Sequence, residues 1–195
     1  MRRALVSLAV PLLLAASSAA AQAPEAPLYA AFQAFCIATG GVPDAVNDAV
    51  EQAGGKAHTG QDLPGESTDA TAWDIRADGE DLTIVAGTER IPDTLGGPPR
   101  DATVCVIDAL GRDDASVAAI KQWTGVAPSH VSVRQSTMTA FDFRQVGGAR
   151  GPVPADPAQR AAAVAAGQIW SLALRQSQTN TSVQIVHIVP ERGTP

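Results

Sequence analysis

The sequence predicts an α+β domain in which an N-terminal helical hairpin and further helices pack on one face of a mainly antiparallel sheet of about six strands. The first observation is that strand-like segments with alternating apolar residues follow one another as hairpins. The second is that the chain has no repeated strand–helix–strand unit, which a parallel sheet would require. The predicted order of elements is α-α-β-β-β-α-β-(α)-β-β, without internal repeats.

The N-terminus has the layout of a secretory signal peptide. Two arginines come first, an apolar run follows over 4–15, and small residues fill 17–21. This order predicts a signal peptide over 1–21 that is cleaved between Ala21 and Gln22. The apolar run is too short to span a bilayer comfortably, so we expect no membrane span and a mature protein that is periplasmic or secreted.

Length and charge restrict what the mature chain can be. Removing the signal peptide from 195 residues leaves 174, a length that suits one domain. We place this domain at 28–190. A flexible leader at 22–27 precedes it, and a loose tail at 191–195 follows it. Two of the 14 basic side chains belong to the signal peptide. The mature chain therefore has 12 basic and 20 acidic side chains, and its net charge is −8 rather than −6. Because the sequence has no basic cluster, this balance argues against nucleic acid and anionic lipid as partners.

Cys36 and Cys105 are the only cysteines. In an exported protein an even count favours a disulfide, and two cysteines allow a single connectivity. On chain-entropy grounds, closing a loop of about 70 residues stabilises the fold by roughly 4 kcal/mol. The alternative is a redox or nucleophilic thiol, which would need a Cys-x-x-Cys spacing or a paired His, and neither occurs locally.

Two helices are predicted ahead of the sheet. Apolar residues from Leu28 to Cys36 recur at helical spacing, and Gly40-Gly41 ends this helix. Pro43 suits the first turn of the next helix, which ends at Gly54-Gly55. Together they form the predicted helical hairpin.

The clearest strand pair is predicted around Asp78-Gly79, which is a strong signal for a two-residue hairpin turn. With that turn, Ile75 faces Leu82 on the apolar face and Arg76 faces Asp81 on the polar face.

Two polar stretches rich in Pro and Gly, 56–70 and 87–100, are predicted as long loops. The remaining predicted elements are a strand at 102–108, a helix from Asp113 or Asp114 to Thr124, a strand at 137–146, a turn-rich linker at 147–154, a helix opened by Asp156-Pro157, and a closing hairpin of 170–174 and 183–189.

The three histidines are the candidate general bases of the chain. None of His58, His130 and His187 is paired at i+2, i+3 or i+4 with another ligand type in a way that would preassemble a metal site, so no metal site is predicted. His58 lies in a predicted loop, and His187 shares the parity of apolar residues in the last strand. A small hydrolase would need His130 or His58 to gain an acidic neighbour in a concave pocket through the fold.

Three other features have a simpler structural explanation. The run from Gly96 to Arg100 lacks the Lys and the helix start of a phosphate loop, and its two prolines remove amide donors. The acidic residues near the first hairpin are expected to form a solvated tip; they are Asp74, Asp78, Glu80 and Asp81. The aromatic residues fall mainly on predicted core faces, and Trp123 is the strongest exception.

The chain resembles a group of small exported bacterial proteins that are themselves uncharacterised. The resemblance rests on the F-x-x-F-C-x-x-T-G motif at 32–40, an alanine-rich second helix, a strand bearing Cys105 and a terminal strand pair. Members of this group usually have an aromatic residue after the second helix, where this chain has Lys56. The resemblance implies an exported, disulfide-linked α+β domain and no particular activity.

The sequence therefore predicts no catalytic, cofactor-binding or metal-binding residues. The leading hypothesis is a non-enzymatic exported domain that binds a partner protein or an envelope component through its sheet edge or its two long loops, with the closing strands as the exposed edge. The alternatives are the small hydrolase and a carrier of a small apolar ligand in a cavity beneath the sheet. The sequence does not give the oligomeric state or the order of strands.

Overall fold

A nine-stranded antiparallel sheet forms the body of the protein in the computed structural model, which describes residues 26–58, 70–91, 99–133 and 135–189. The strands are β1 (Lys56–Ala57), β2 (Thr71–Ala77), β3 (Glu80–Ile91), β4 (Arg100–Leu110), β5 (His130–Val133), β6 (Thr137–Val146), β7 (Ala149–Pro152), β8 (Ile169–Gln176) and β9 (Asn180–Ile188). Their order across the sheet is β1-β2-β3-β4-β9-β8-β6-β5, and β7 pairs with β6 beside β5.

The helices are short. They are α1 (Pro27–Ala31), which continues into a π-helix (Phe32–Ile37), then α2 (Pro43–Gln52), α3 (Asp114–Thr124) and α4 (Pro157–Ala165). Side-chain caps define the starts of the last two helices: an Asp113 carboxylate oxygen accepts from the Ser116 amide at 2.8 Å, and Asp156 does the same for Gln159. Gly125 ends α3 in the left-handed region with φ of 66°, as its missing Cβ permits.

The predicted first hairpin is confirmed, including its register. Ile75 pairs with Leu82 and Arg76 pairs with Asp81, across a two-residue turn. Both turn residues have positive φ, 50° at Asp78 and 87° at Gly79, which matches the twist of the flanking strands. The strand at 137–146 and the caps of the two later helices are confirmed as well.

One face of the sheet, which we call the helical face, is covered by the π-helix, α2 and α3. Alternate residues of the central strands point towards these helices, so that Ile84, Ile107, Leu172 and Ile185 are fully or almost fully buried. The opposite face, which we call the polar face, includes the small buried cluster of Val85, Val104 and Val106.

The predicted architecture is wrong, although the α+β content is confirmed. The sheet has nine strands rather than about six, because the short strands β1, β5 and β7 extend it. The N-terminal helical hairpin is absent: the first helix changes to a π-helix after five residues and packs with α3 and β4, while α2 lies against β2, β3 and β4. The π-helix and α2 contact each other, but each also buries apolar side chains against the sheet.

The helices also do not all lie on one face. Ile169 points away from the helical face because its neighbour Trp170 points towards it. Ile169 and Ile188 form a separate cluster with Ala163 and Val164 of α4, so α4 covers one end of the polar face.

The predicted loops and edges need correction too. Residues 56–57 and 87–91 belong to strands, and β4 begins already at Arg100. The closing strands β8 and β9 lie inside the sheet, so they offer no exposed edge. The predicted signal peptide and C-terminal tail lie outside the described residues, and Pro27, the end of the predicted leader, opens α1. In the described segments no helix is both long and apolar enough to cross a bilayer.

Candidate functional site

The predicted disulfide is present. Cys36 in the π-helix is bonded to Cys105 in the middle of β4, with their Cα atoms 5.6 Å apart and both side chains fully buried. Neither thiol is free, so the alternative of a reactive cysteine is wrong for this structure. Such a bond is typical of an oxidising compartment outside the cytoplasm. The predicted cleavage site at Ala21 and Gln22 lies outside the described residues.

One candidate site is a concave region of about 700 Å³ on the polar face, which we call the polar groove. Strands β3, β4, β9, β8 and β6 supply most of its lining, together with His58 at one end. Nine of its twelve lining residues are polar: His58, Thr83, Glu89, Asp108, Arg175, Ser177, Asn180, Ser182 and Gln184 line it with Val106, Met138 and Ala173. Its size is that of an ordinary ligand pocket, and residues with polar side chains outnumber apolar ones in its lining.

The pairing of the strands explains why these polar groups meet. Directly opposite residues share a face and lie about 5 Å apart, so a row of paired residues forms a continuous line of side chains. The row across the polar face is Lys56, Asp74, Thr83, Asp108, Ser182, Arg175, Met138 and Ser132. It spans eight strands.

Asp108 lies at the centre of this row and is half-buried. Burial raises the pKa of its carboxyl group, while the hydrogen bond from Ser182 and the positive charge of Arg175 act in the opposite direction. Asp108 also lines a second groove of about 560 Å³, beside the first hairpin, and Thr83 and Asn180 are shared between the two grooves as well. The carboxyl group therefore lies where the two grooves meet.

His58 forms the second polar cluster of the groove. Its Nδ1 atom lies 2.9 Å from each carboxylate oxygen of Asp74, and the Thr83 hydroxyl donates to the same carboxylate at 3.0 Å. The His58 side chain is 28% exposed. An imidazole bonded to a carboxylate through Nδ1 has its Nε2 atom available for a proton or a ligand.

The other two histidines are placed differently. His130 is exposed on β5, and among the described residues the structure shows no carboxylate partner for it. His187 stacks on Trp170 with ring centroids 4.0 Å apart, and its Nε2 atom lies 2.8 Å from the Gly167 carbonyl oxygen. Burial lowers the pKa of His187, and the hydrogen bond to Gly167 partly opposes this. His187 is thus a packing residue of the helical face.

The first hairpin behaves as a solvated tip. Arg76 pairs with Asp81 at 3.3 Å, and both side chains are about 70% exposed (69% and 72%). Asp74 is the exception among the acidic residues of this hairpin, since it belongs to the His58 cluster. No group of three or more His, Cys, Asp or Glu side chains that could hold a metal ion is present among the described residues. Most of the Gly96–Arg100 loop lies outside them.

Trp123 is part of the core rather than a ligand platform. Its ring meets Phe32 and Phe143 edge-on at centroid distances of 5.3 and 5.8 Å. The Arg150 guanidinium lies over the Trp123 ring, 4.1 Å from its centre.

Sequence reasoning missed Asp108, Ser182 and Arg175 as a group. Each occupies a polar position in an alternating strand, which is the ordinary signature of a solvated face. The signal that could have found them is the order of strands, because only the insertion of β9 between β4 and β8 brings the three together.

Compared with known proteins, the chain matches no family model, no curated protein and no solved structure. The resemblance to uncharacterised exported proteins therefore stays a prediction.

Proposed function

We propose that the protein is an exported binding domain without catalytic activity, whose polar groove holds a polar segment of a partner protein or envelope component. Arg175 carries this proposal. Its side chain is exposed in the groove, and in the described part of the chain its guanidinium has no hydrogen bond or ion pair, although the half-buried Asp108 lies close enough to feel its charge. A guanidinium with five donors in a fixed plane is well suited to a carboxylate or carbonyl group of a partner.

The rest of the groove supports binding of a polar segment. Carboxylate, amide and hydroxyl groups alternate along neighbouring strands, so that an extended ligand would meet an acceptor or donor about every 5 Å. Export is supported by the signal-peptide pattern and by the buried disulfide, and it places the partner in the periplasm or outside the cell.

The test compares Arg175→Glu with Lys121→Glu. Both substitutions change the charge by the same amount, but Lys121 is exposed on α3, away from the groove. Immobilised wild-type protein is incubated with an extract of exported bacterial proteins and envelope fragments, and the retained material is quantified. We expect Arg175→Glu to reduce retention about tenfold and Lys121→Glu to leave it unchanged. Equal retention by all three proteins would contradict the proposal.

A second candidate function is hydrolysis with His58 as general base. The His58–Asp74 pair favours it, since a carboxylate at Nδ1 holds the ring so that Nε2 can take a proton from water. In the described residues, no serine or threonine hydroxyl bonds to Nε2, so water would have to be the nucleophile. His130 has no acidic neighbour in the described segments and does not fit this role.

The hydrolase alternative is tested with p-nitrophenyl acetate as an ester probe. It predicts that His58→Asn and Asp74→Asn each lower the hydrolysis rate about a hundredfold, whereas His130→Gln has no effect. Equal rates for the wild type and all three variants would exclude it. The third expectation, a carrier of an apolar ligand, stays a prediction that neither of these experiments tests.

A further inference from the structure

An acidic and a basic side chain lie close together at the centre of the polar groove without bonding to each other. Asp108 on β4 and Arg175 on β8 are both directly opposite Ser182 on β9, one on each side of it. Two strand spacings separate their Cα atoms by about 10 Å. The Asp108 carboxyl group hydrogen-bonds to Ser182, whereas the Arg175 guanidinium has no hydrogen bond or ion pair within the described segments. A ligand group over Ser182 can therefore bind Arg175 while it faces Asp108.

Arg175 is suited to a carboxylate. A guanidinium donates two parallel N–H bonds to the two oxygens of a carboxylate in one plane. A phosphate group carries up to two negative charges, which several positive groups match better than one. The other Lys or Arg of the cross-strand row is Lys56, five strand spacings away, about 24 Å. A single guanidinium therefore favours a carboxylate over a phosphate as the ligand group.

Other charged groups on the strands beside Asp108 are paired or distant in the described part of the chain. On β3, Asp81 is two residues from Thr83, the partner of Asp108, and its carboxylate pairs with Arg76 at 3.3 Å. Glu89 is six residues from Thr83 along the same strand, about 20 Å away. The residues of β9 that line the groove carry no charge. A carboxylate on Arg175 thus has Asp108 as its nearest unpaired charged neighbour.

We propose that the ligand group on Arg175 is a carboxylate and that it binds together with one proton, which Asp108 takes up; this inference rests on the function proposed for the polar groove. Two neighbouring carboxylates repel each other when both are ionised, so one of them becomes protonated. The proton comes from the solvent and is added to a carboxylate oxygen of Asp108, while the ligand stays ionised on Arg175. Protonated Asp108 then has an O–H group that can donate to the ligand, which the ionised form lacks. No covalent bond of the ligand changes.

Partial burial makes Asp108, rather than the ligand, the group that takes the proton. Burial disfavours the ionised form and raises the pKa of the Asp108 carboxyl group, so protonation costs less free energy there than on an exposed carboxylate. The ligand carboxylate gains a guanidinium partner, which favours its ionised form. Binding should therefore strengthen as the pH falls, down to the pKa of the ligand itself, which is about 3.5 for a chain-terminal carboxyl group.

Small carboxylates test the chemical class of the ligand. N-acetylglycine has a chain-terminal carboxylate, N-acetylaspartic acid α-amide has a side-chain carboxylate, and N-acetylglycinamide is the neutral control. Each is titrated into ¹⁵N-labelled protein at pH 7.5 and at pH 4.5, and the shift of the Arg175 side-chain signal gives the dissociation constant. We expect the ionised form of both carboxylates to bind about tenfold more tightly at pH 4.5, and the amide to bind weakly at both pH values. The tighter carboxylate shows whether Arg175 selects a chain end or an acidic side chain.

Substitutions identify the group that takes up the proton. Asp108→Asn should bind the carboxylates at pH 7.5 as tightly as the wild type binds them at pH 4.5, and it should lose the pH dependence. A gain of affinity cannot come from a variant that fails to fold. Asp81→Asn removes the carboxylate paired with Arg76, and His58→Asn removes the imidazole that contacts Asp74. Both variants should keep the pH dependence of the wild type.

Three results would overturn the inference. They are an unchanged pH dependence in Asp108→Asn, tighter binding of inorganic phosphate than of either carboxylate at pH 7.5, and carboxylate binding at pH 4.5 that is absent or that survives Arg175→Gln. The function proposed for the groove is judged separately, by the retention of exported material on Arg175→Glu. That measurement does not depend on whether the retained group is a carboxylate.

Discussion

Asp108 and Ser182 lie directly opposite each other on β4 and β9, and the serine hydroxyl hydrogen-bonds to a carboxyl group that is half-buried between two grooves. Burial of a carboxylate favours its neutral form, and here this effect exceeds the opposing effects of the hydrogen bond and Arg175, since the pKa of Asp108 is raised. Asp108 thus destabilises the folded state when it is ionised, which is typical of a residue kept for binding rather than for stability.

We predict that Asp108→Asn stabilises the protein at pH 7. The amide oxygen can still accept from Ser182, while the buried charge is removed. A raised folded-state pKa means that stability is lost as the pH rises from the unfolded value of about 3.8 through the folded value, so the penalty grows with rising pH. At pH 3 the carboxyl is protonated in both states, and the gain should be small. Urea unfolding at the two pH values measures the difference.

Asp142→Asn is the matched control for this experiment, because Asp142 is exposed on β6 and lies on the same face. It should change the free energy of unfolding little at either pH. A gain at pH 7 that is the same for both variants would point to the net charge of the protein rather than to burial of Asp108.

The second prediction concerns the disulfide. Replacing both cysteines by alanine should lower the free energy of unfolding by about 4 kcal/mol, because the loop of about 70 residues between Cys36 and Cys105 is no longer closed in the unfolded chain. Chemical denaturation of the double variant and of reduced wild-type protein should give similar values. A loss below about 1 kcal/mol would mean that the bond contributes little beyond packing.

The third prediction concerns Trp123. Trp123→Ala should cost about 3 kcal/mol, because the ring contacts Phe32 and Phe143 between α3 and the sheet. Arg150→Ala should cost about 0.5–1 kcal/mol through loss of the cation–π contact. Thermal unfolding measures both. If Trp123→Ala left the stability unchanged, Trp123 would not be a packed core residue, and it would again be a candidate ligand-binding residue.

The sequence predicted six strands by their alternation, and these six are the long ones. Each has at least seven residues, as in β2 and β6, so apolar and polar positions repeat several times. Strands β1, β5 and β7 have two to four residues, which is too few for a period of two to stand out. They form because an existing edge offers unpaired backbone groups, and this is a tertiary effect.

The candidate site could be predicted less well than the strands. The disulfide could be predicted from two cysteines and the predicted export, since only one pairing exists. The polar groove depends on contacts between residues far apart in the chain, such as Asp108 with Ser182. The pairing of His58 with Asp74 depends on β1, which local patterns do not show. Local periodicity assigns residues to faces, but it does not order the strands.

The final prediction concerns the pH dependence of stability from His187. Its pKa is lowered in the folded state by burial, so the neutral ring is favoured when the ring is stacked on Trp170. As the pH falls below about 6.5, the unfolded chain binds a proton that the folded protein does not, and stability must decrease. We expect His187→Gln to cost about 1 kcal/mol at pH 7.5 through loss of stacking, and to flatten the decline between pH 7.5 and pH 5. His130→Gln, which removes an exposed imidazole, should leave the stability at pH 7.5 unchanged. If His187→Gln left the decline as steep as in the wild type, the stacked ring would not be the group that titrates.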